Sequence, residues 1–109
     1  MFTVSELQNA LVQGRLRITH HAKQAMWEDQ LSVDEIFHAL LEDTAEIIEA
    51  YPTPQGRPYP MALLLSRLPN AKPLHLVVAY NTEQRLVILV TVYRPDPNRW
   101  DASFRQREP

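Results

Sequence analysis

The sequence predicts an α+β domain in which two to three N-terminal helices pack on a four-stranded antiparallel sheet. Before Thr44, apolar residues recur at helical spacing, whereas after it they occur in short runs rich in Val, Leu and Ile. Short or proline-containing links join those runs, which favours antiparallel neighbours. The 109 residues fit one domain. We expect a core at residues 4–94 and an irregular, basic tail at residues 95–109.

The first two helices are predicted from their capping residues. Thr3 and Glu6 form a capping-box pattern before an apolar stripe, and Gly14 should end that helix. Residues 16–19 then look like a short extended link. The threonine that ends the link can cap a second helix that runs to about Asp29.

The third helix has the clearest pattern. Ser32 and Glu35 form a second capping box, and the apolar residues behind it follow the i, i+3, i+4, i+7, i+8 spacing of an amphipathic helix. These apolar residues are Val33, Ile36, Phe37, Leu40 and Leu41.

Four strands are predicted in the second half. Prolines between residues 52 and 60 exclude regular structure and predict a stiff loop after the first of them. The four segments are Glu46–Tyr51, Met61–Arg67, Leu74–Tyr80 and Leu86–Tyr93.

The last hairpin permits a prediction of register. If its loop centres on Glu83, His75 pairs with Thr91, and Tyr93 lies on the same face because strand side chains alternate. The same register pairs Val77 with Leu89 and Ala79 with Val87. We expect this face to be half exposed and the opposite face to pack on the helices. The opposite face would carry Leu74, Leu76, Val78, Tyr80, Leu86, Ile88, Val90 and Val92.

Charge is distributed unevenly along the chain. Residues 1–51 carry three basic and nine acidic side chains, whereas residues 52–109 carry eight basic and four acidic ones, within a net charge of −2. The basic second half could face a polyanion, or the charges of both halves could simply be solvated.

Several classes of function are disfavoured by what the sequence lacks. Without cysteine there can be no disulfide or cysteine-ligated metal, and no metal-binding motif or glycine-rich phosphate loop is present. No apolar run approaches the roughly 20 residues that cross a bilayer, and the N-terminus lacks a signal-peptide pattern. We therefore expect a cytoplasmic protein with no membrane association, no metal and no cofactor.

Three histidines are candidates for acid–base chemistry or for structural roles. His20 and His21 begin the second helix, where the helix dipole disfavours the charged imidazole and so favours a general base; both could instead be solvated surface residues. His75 interrupts an apolar strand beside Thr91 and Tyr93. It would be either a catalytic group or a structural histidine whose ring nitrogens have partners.

Further candidates lie near the end of the last strand. Tyr93 could stack on a base or pack internally, and Arg94 and Arg67 could bind phosphate. Trp100 either anchors the tail or offers a stacking surface, and we favour the anchor. His38, between carboxylates on the polar side of the third helix, is expected to be a solvated surface residue.

Ordered segments of the chain resemble the bacterial domain of unknown function family 4258. The resemblance spans roughly residues 16–100. Its segments are His21–Ile36, Glu46–Tyr51, Pro73–Val78, Val90–Asp96 and Trp100.

That family is similar to RelE/ParE- and BrnT-type toxins, several of which are metal-independent ribonucleases paired with an antitoxin. The resemblance implies such a fold and places His21, His75, Thr91 and Tyr93 at the matching positions. Family members often carry arginine where this chain has Ala25 and Asp29.

Two functions follow as hypotheses. The first is a toxin-like metal-independent endoribonuclease or RNA-binding module of a toxin–antitoxin type system, with His21, His75 and Tyr93 catalytic and Arg67, Thr91 and Arg94 binding substrate. The second, motivated by the missing arginines, is a non-catalytic protein-interaction domain. Its partner would be a cognate antitoxin-like chain. A homodimer formed through an edge strand is a further, structural possibility.

Overall fold

The computed structural model describes all 109 residues as three helices followed, with one early exception, by the strands of a single sheet. None of the helices is long and apolar enough to cross a membrane. In chain order the elements are α1 (Val4–Val12), β1 (Leu16–Ile18), α2 (His20–Glu28), α3 (Val33–Leu41), β2 (Glu46–Tyr51), β3 (Met61–Arg67), β4 (Pro73–Asn81) and β5 (Leu86–Tyr93).

The predicted helix starts are confirmed. Thr3 and Ser32 each form a complete capping box, and the Thr19 hydroxyl accepts a hydrogen bond of 3.0 Å from the backbone of Ala22. Each cap satisfies a backbone N–H that has no partner within its helix. The polar residues at these positions therefore determine where the three helices begin.

The prediction of four antiparallel strands is wrong in one respect, because the sheet has five strands and is mixed. Its order is β1-β5-β4-β3-β2, and β1 runs parallel to β5. Residues 16–18, predicted as a link, pair with residues 87–89. A three-residue strand is too short to show a period of two, and its partner lies far along the chain. No local pattern could have identified it.

The predicted β4–β5 register is also wrong. Asn81 pairs with Leu86, so the pairing next to the loop is one residue away from the prediction. A bulge at Val90 then adds a second residue of shift, and His75 pairs with Tyr93 rather than Thr91. A shift of one residue reverses the faces and a shift of two restores them. Thr91 and Tyr93 therefore still lie on the face of His75.

One face of the sheet packs on the helices and carries the core. Its β4 residues and Val92 are those predicted, but Leu86, Ile88 and Val90 are replaced by Val87 and Leu89 because of the register shift. Ser66 ties this face to α3 through a buried hydrogen bond of 2.6 Å to the Ala39 carbonyl. The sheet residues of this face are Ala62, Leu64, Leu74, Leu76, Val78, Tyr80, Val87, Leu89 and Val92.

The opposite face, which we call the open face, carries His75, Val77 and Ala79 of β4. No helix covers it, but the C-terminal tail folds across one end. Trp100 is only 6% exposed there and forms an isolated β-bridge with Arg107. The expectation that Trp100 anchors the tail is confirmed.

Candidate active site

A row of paired residues crosses the open face beneath the tail. The pairing register joins Glu46 to Leu65, Leu65 to His75 and His75 to Tyr93, so that their side chains share one face. This row brings together two of the residues that were predicted to carry chemistry.

His75 is buried, contrary to the expectation of a half-exposed face. Its Nε2 lies 2.9 Å from the carbonyl oxygen of Phe104, and its Nδ1 lies 3.2 Å from the Tyr93 hydroxyl. A carbonyl can only accept, so Nε2 carries the proton and the Tyr93 hydroxyl donates to Nδ1. Both ring nitrogens are therefore occupied. His75 cannot contact a substrate while the tail is in place.

Burial lowers the pKa of His75, and this effect outweighs the opposing contributions of the Phe104 carbonyl and the nearby Glu49 carboxylate. The imidazole is therefore neutral at pH 7. Burial likewise raises the pKa of Tyr93, so its phenol keeps its proton. Trp100 packs on His75 in a T-shaped arrangement, with 4.4 Å between the two ring centres, and both side chains are buried.

Two arginines of the tail pair with carboxylates of β2. Arg105 contacts Glu46, and Arg107 contacts Glu49 while also lying 4.8 Å from the centre of the Trp100 ring. In these pairs, basic side chains from residues 52–109 neutralise acidic side chains from residues 1–51. The charge separation seen along the chain is thus reduced in the folded protein.

Glu49 is the centre of a polar cluster that sequence reasoning missed. Tyr51 and Arg107 both donate hydrogen bonds to its carboxylate. Burial opposes ionisation, but these two donors outweigh it and hold the pKa of Glu49 below its usual value. The alternation of Glu49 and Tyr51 along β2 was visible in the sequence, whereas nothing local linked either to Arg107.

A groove of about 350 Å³ lies between α2 and β5, beside the His75 row. Here α2 borders the part of β5 that lies beyond its pairing with β1. Three residues with predicted site roles, His21, Thr91 and Tyr93, line this groove together. The other lining residues are Gln24, Ala25, Glu28, Asp29 and Val92.

The groove offers an imidazole, a hydroxyl and an amide, which can exchange protons and form hydrogen bonds, and Tyr93 also lines it while its hydroxyl is hydrogen-bonded to His75. Its charged groups are carboxylates rather than arginines. No group of three or more His, Asp or Glu side chains could hold a metal ion.

The remaining predicted residues lie outside the groove or serve another contact. The Arg94 guanidinium donates to the Asp29 carbonyl at 3.1 Å and so binds the C-terminal end of α2. Arg67 reaches the Ala71 carbonyl at 3.3 Å. His20 is exposed but does not line the groove, and His38 pairs with a carboxylate on its own helix.

The chain matches the family described as "Domain of unknown function (DUF4258)" over residues 18–94. No curated protein and no solved structure matches it. The matched region contains α2, α3 and all the strands from β2 to β5, together with His21, His75, Thr91 and Tyr93. Because it spans more than half of the 109 residues, the chain belongs to the DUF4258 family.

Proposed function

We propose that the protein is a metal-independent endoribonuclease of the toxin type and that the groove between α2 and β5 is its active site. The observation that carries the proposal is that His21, Thr91 and Tyr93, distant in sequence, line one groove. Buried His75 orients the Tyr93 phenol through a hydrogen bond. Histidine and tyrosine side chains can supply the general acid and base that RNA cleavage needs without a metal.

In this mechanism His21 removes the proton of a ribose 2′-hydroxyl. The 2′-oxygen attacks the adjacent phosphorus, the bond to the 5′-oxygen breaks, and a 2′,3′-cyclic phosphate forms. For this step the Tyr93 hydroxyl turns its proton away from His75 Nδ1 and gives it to the departing 5′-oxygen. Thr91 and Gln24 hold the nucleotide by hydrogen bonds. His75, which is buried, is a positioning residue for Tyr93 rather than a catalytic residue.

We further propose a RelE/ParE-like fold and a cognate antitoxin as partner. In support, the helices precede an antiparallel succession of four strands, β2 to β5, although β1 adds a fifth strand in parallel. The ordered sequence segments resemble the DUF4258 family, whose own similarity to that toxin group points the same way.

The test is cleavage of a ribosome-free mRNA by purified protein in EDTA, with His21→Ala and Tyr93→Phe as variants. Each should lower the rate at least a hundredfold, since general acid–base groups contribute about 10²–10⁴-fold. His20→Ala is the matched control, because His20 is an exposed neighbour on the same helix turn that does not line the groove. Cleavage that survives His21→Ala, or that His20→Ala removes equally, would contradict the assignment.

A protein-interaction domain is the second candidate, and exposed Trp27 favours it. This side chain is 85% exposed beside a shallow cavity of about 630 Å³ formed with Met26 and Leu31. Tryptophan is enriched at binding hot spots. If wild type cuts no RNA with or without ribosomes, but binds a small protein encoded by a neighbouring gene and loses that binding in Trp27→Ala, this candidate replaces the first.

A further inference from the structure

The end of the open face away from the tail contains a cavity of about 280 Å³, which we call the second cavity. Its floor is apolar, and its rim carries Arg17, Arg57 and Tyr59. The remaining lining residues are Thr19, Pro58, Met61, Ala79, Ile88 and Val90.

The sheet register explains why these residues meet. Arg17 pairs with Ile88, Ile88 with Ala79 and Ala79 with Met61, so all four side chains share the open face in one row across the sheet. The proline-rich loop after β2 brings Arg57 and Tyr59 to the same place. Arg17 on β1 and Arg57 on the loop thus lie together over an apolar floor formed by β3, β4 and β5.

The guanidinium groups of Arg17 and Arg57 differ from most others in the protein because they have no partner within the chain. Of nine arginines, six use their side chains in an ion pair or hydrogen bond within the chain. These six are Arg15, Arg67, Arg94, Arg99, Arg105 and Arg107.

The three arginines without such a partner are Arg17, Arg57 and Arg85. Arg85 lines cavities together with the carboxylates Glu6 and Glu83. The cavity of Arg17 and Arg57 contains no carboxylate at all. The two cations are therefore available to an anion, and an apolar floor with an aromatic side chain lies beside them.

The second cavity adjoins the groove between α2 and β5. Thr19 and Val90 line the cavity, whereas His21 and Thr91 line the groove. The Thr19 hydroxyl donates a hydrogen bond of 3.1 Å to the Val90 carbonyl and fixes the boundary between the two sites. A chain-like ligand could therefore pass from one site to the other along β5.

We propose that this second cavity binds one nucleotide of a single-stranded RNA, with its phosphate on Arg17 and Arg57 and its base on Tyr59 and the apolar floor. Guanidinium groups bind phosphate in a fork geometry, and base–aromatic stacking is the usual source of affinity for unpaired bases. The choice of RNA as ligand rests on the proposed function. The cavity would then supply the phosphate binding that the acidic groove cannot.

The test is binding of a short fluorescein-labelled single-stranded RNA, followed by anisotropy in EDTA in a His21→Ala background that prevents cutting. Arg17→Gln and Arg57→Gln should each weaken binding roughly tenfold and reduce the slope of log K against log salt by about 0.7. Tyr59→Ala should weaken binding by a similar factor without changing the salt slope. Arg85→Gln is the matched control, since Arg85 also lacks a side-chain partner, and it should leave binding within about twofold.

The outcomes separate this inference from the proposed function. Binding that depends on Arg17 and Arg57, without cleavage by wild type, would support the cavity and remove the ribonuclease. Cleavage that depends on His21, with RNA binding unchanged by Arg17→Gln and Arg57→Gln, would remove the cavity and keep the ribonuclease. Equal binding of duplex RNA, or binding of a mononucleotide but of no RNA, would overturn the single-strand assignment.

Discussion

The two ends of the open face share strands β3, β4 and β5 but differ in what lies over them. At one end the tail lies over the sheet, Trp100 packs on His75, and Arg105 and Arg107 pair with carboxylates of β2. At the other end the proline-rich loop, not the tail, borders the sheet, and the side chains of Arg17 and Arg57 line a cavity without a partner in the chain. Arginine content alone therefore does not identify a polyanion site. What matters is which guanidinium groups the fold leaves unpaired.

The same contrast applies to the histidines. His75 lies at the covered end, where burial and two hydrogen bonds make it a structural and positioning group. His21 lies at the start of α2 on the rim of the groove, where its ring is accessible. Accessibility, rather than the neighbourhood of an apolar strand, separates the residue that could react from the one that supports it.

The largest effect on stability is expected at the anchor of the tail. Trp100→Ala should lower the free energy of unfolding by about 3 kcal/mol, because it removes a buried ring and uncovers His75. Urea denaturation measures this. Trp27→Ala is the matched control and should change the free energy by less than about 0.5 kcal/mol, since that ring is exposed. Equal losses in both variants would mean that the tail does not stabilise the covered end.

His75 should produce the next largest effect, together with a pH dependence. His75→Gln should cost about 2 kcal/mol at pH 7, because a packed ring and its hydrogen bonds are lost. The folded-state pKa of His75 is lowered, so the unfolded state binds a proton more readily. The contribution of His75 to the free energy of unfolding is therefore complete above about pH 6.5, which is its pKa in the unfolded chain. That contribution is lost as the pH falls through the pKa of His75 in the folded protein.

The corresponding measurement is urea denaturation of wild type and His75→Gln at several pH values between about 7 and 5. The wild type should lose stability over this interval and the variant should lose less. Glu49 and Arg107 face His75. Because the pKa of Glu49 is lowered, the stability that its ionised form contributes is lost only at a pH below the usual carboxylate range. Parallel curves for the two proteins would show that His75 does not titrate with unfolding.

The smallest effects should come from the arginines themselves. Arg107→Gln removes a partly exposed ion pair and a contact with Trp100, and should cost about 1 kcal/mol at low salt and less at high salt. Arg57→Gln should change stability by less than about 0.5 kcal/mol, since that side chain has no partner to lose. Thermal unfolding at two salt concentrations would measure both. A larger loss for Arg57 than for Arg107 would reverse the comparison of the two ends.

Local sequence patterns predicted the three helices well, because a capping residue and an apolar stripe act within a few residues. They also identified the strands of the second half and placed His75, Thr91 and Tyr93 on one face. They failed for β1, whose parallel pairing with β5 joins distant parts of the chain. They failed for the β4–β5 register as well, because the bulge at Val90 has no clear signal in the residue types.

The sequence by itself determined the helix starts, the prolines that separate β2 from β3, and the set of residues available for chemistry. Only the tertiary structure decided which of those residues can meet a ligand. The tail buries His75, and α2 places His21 beside Tyr93. The physical reason is range: caps and alternation depend on neighbours in the chain, whereas burial and ion pairing depend on contacts between distant segments.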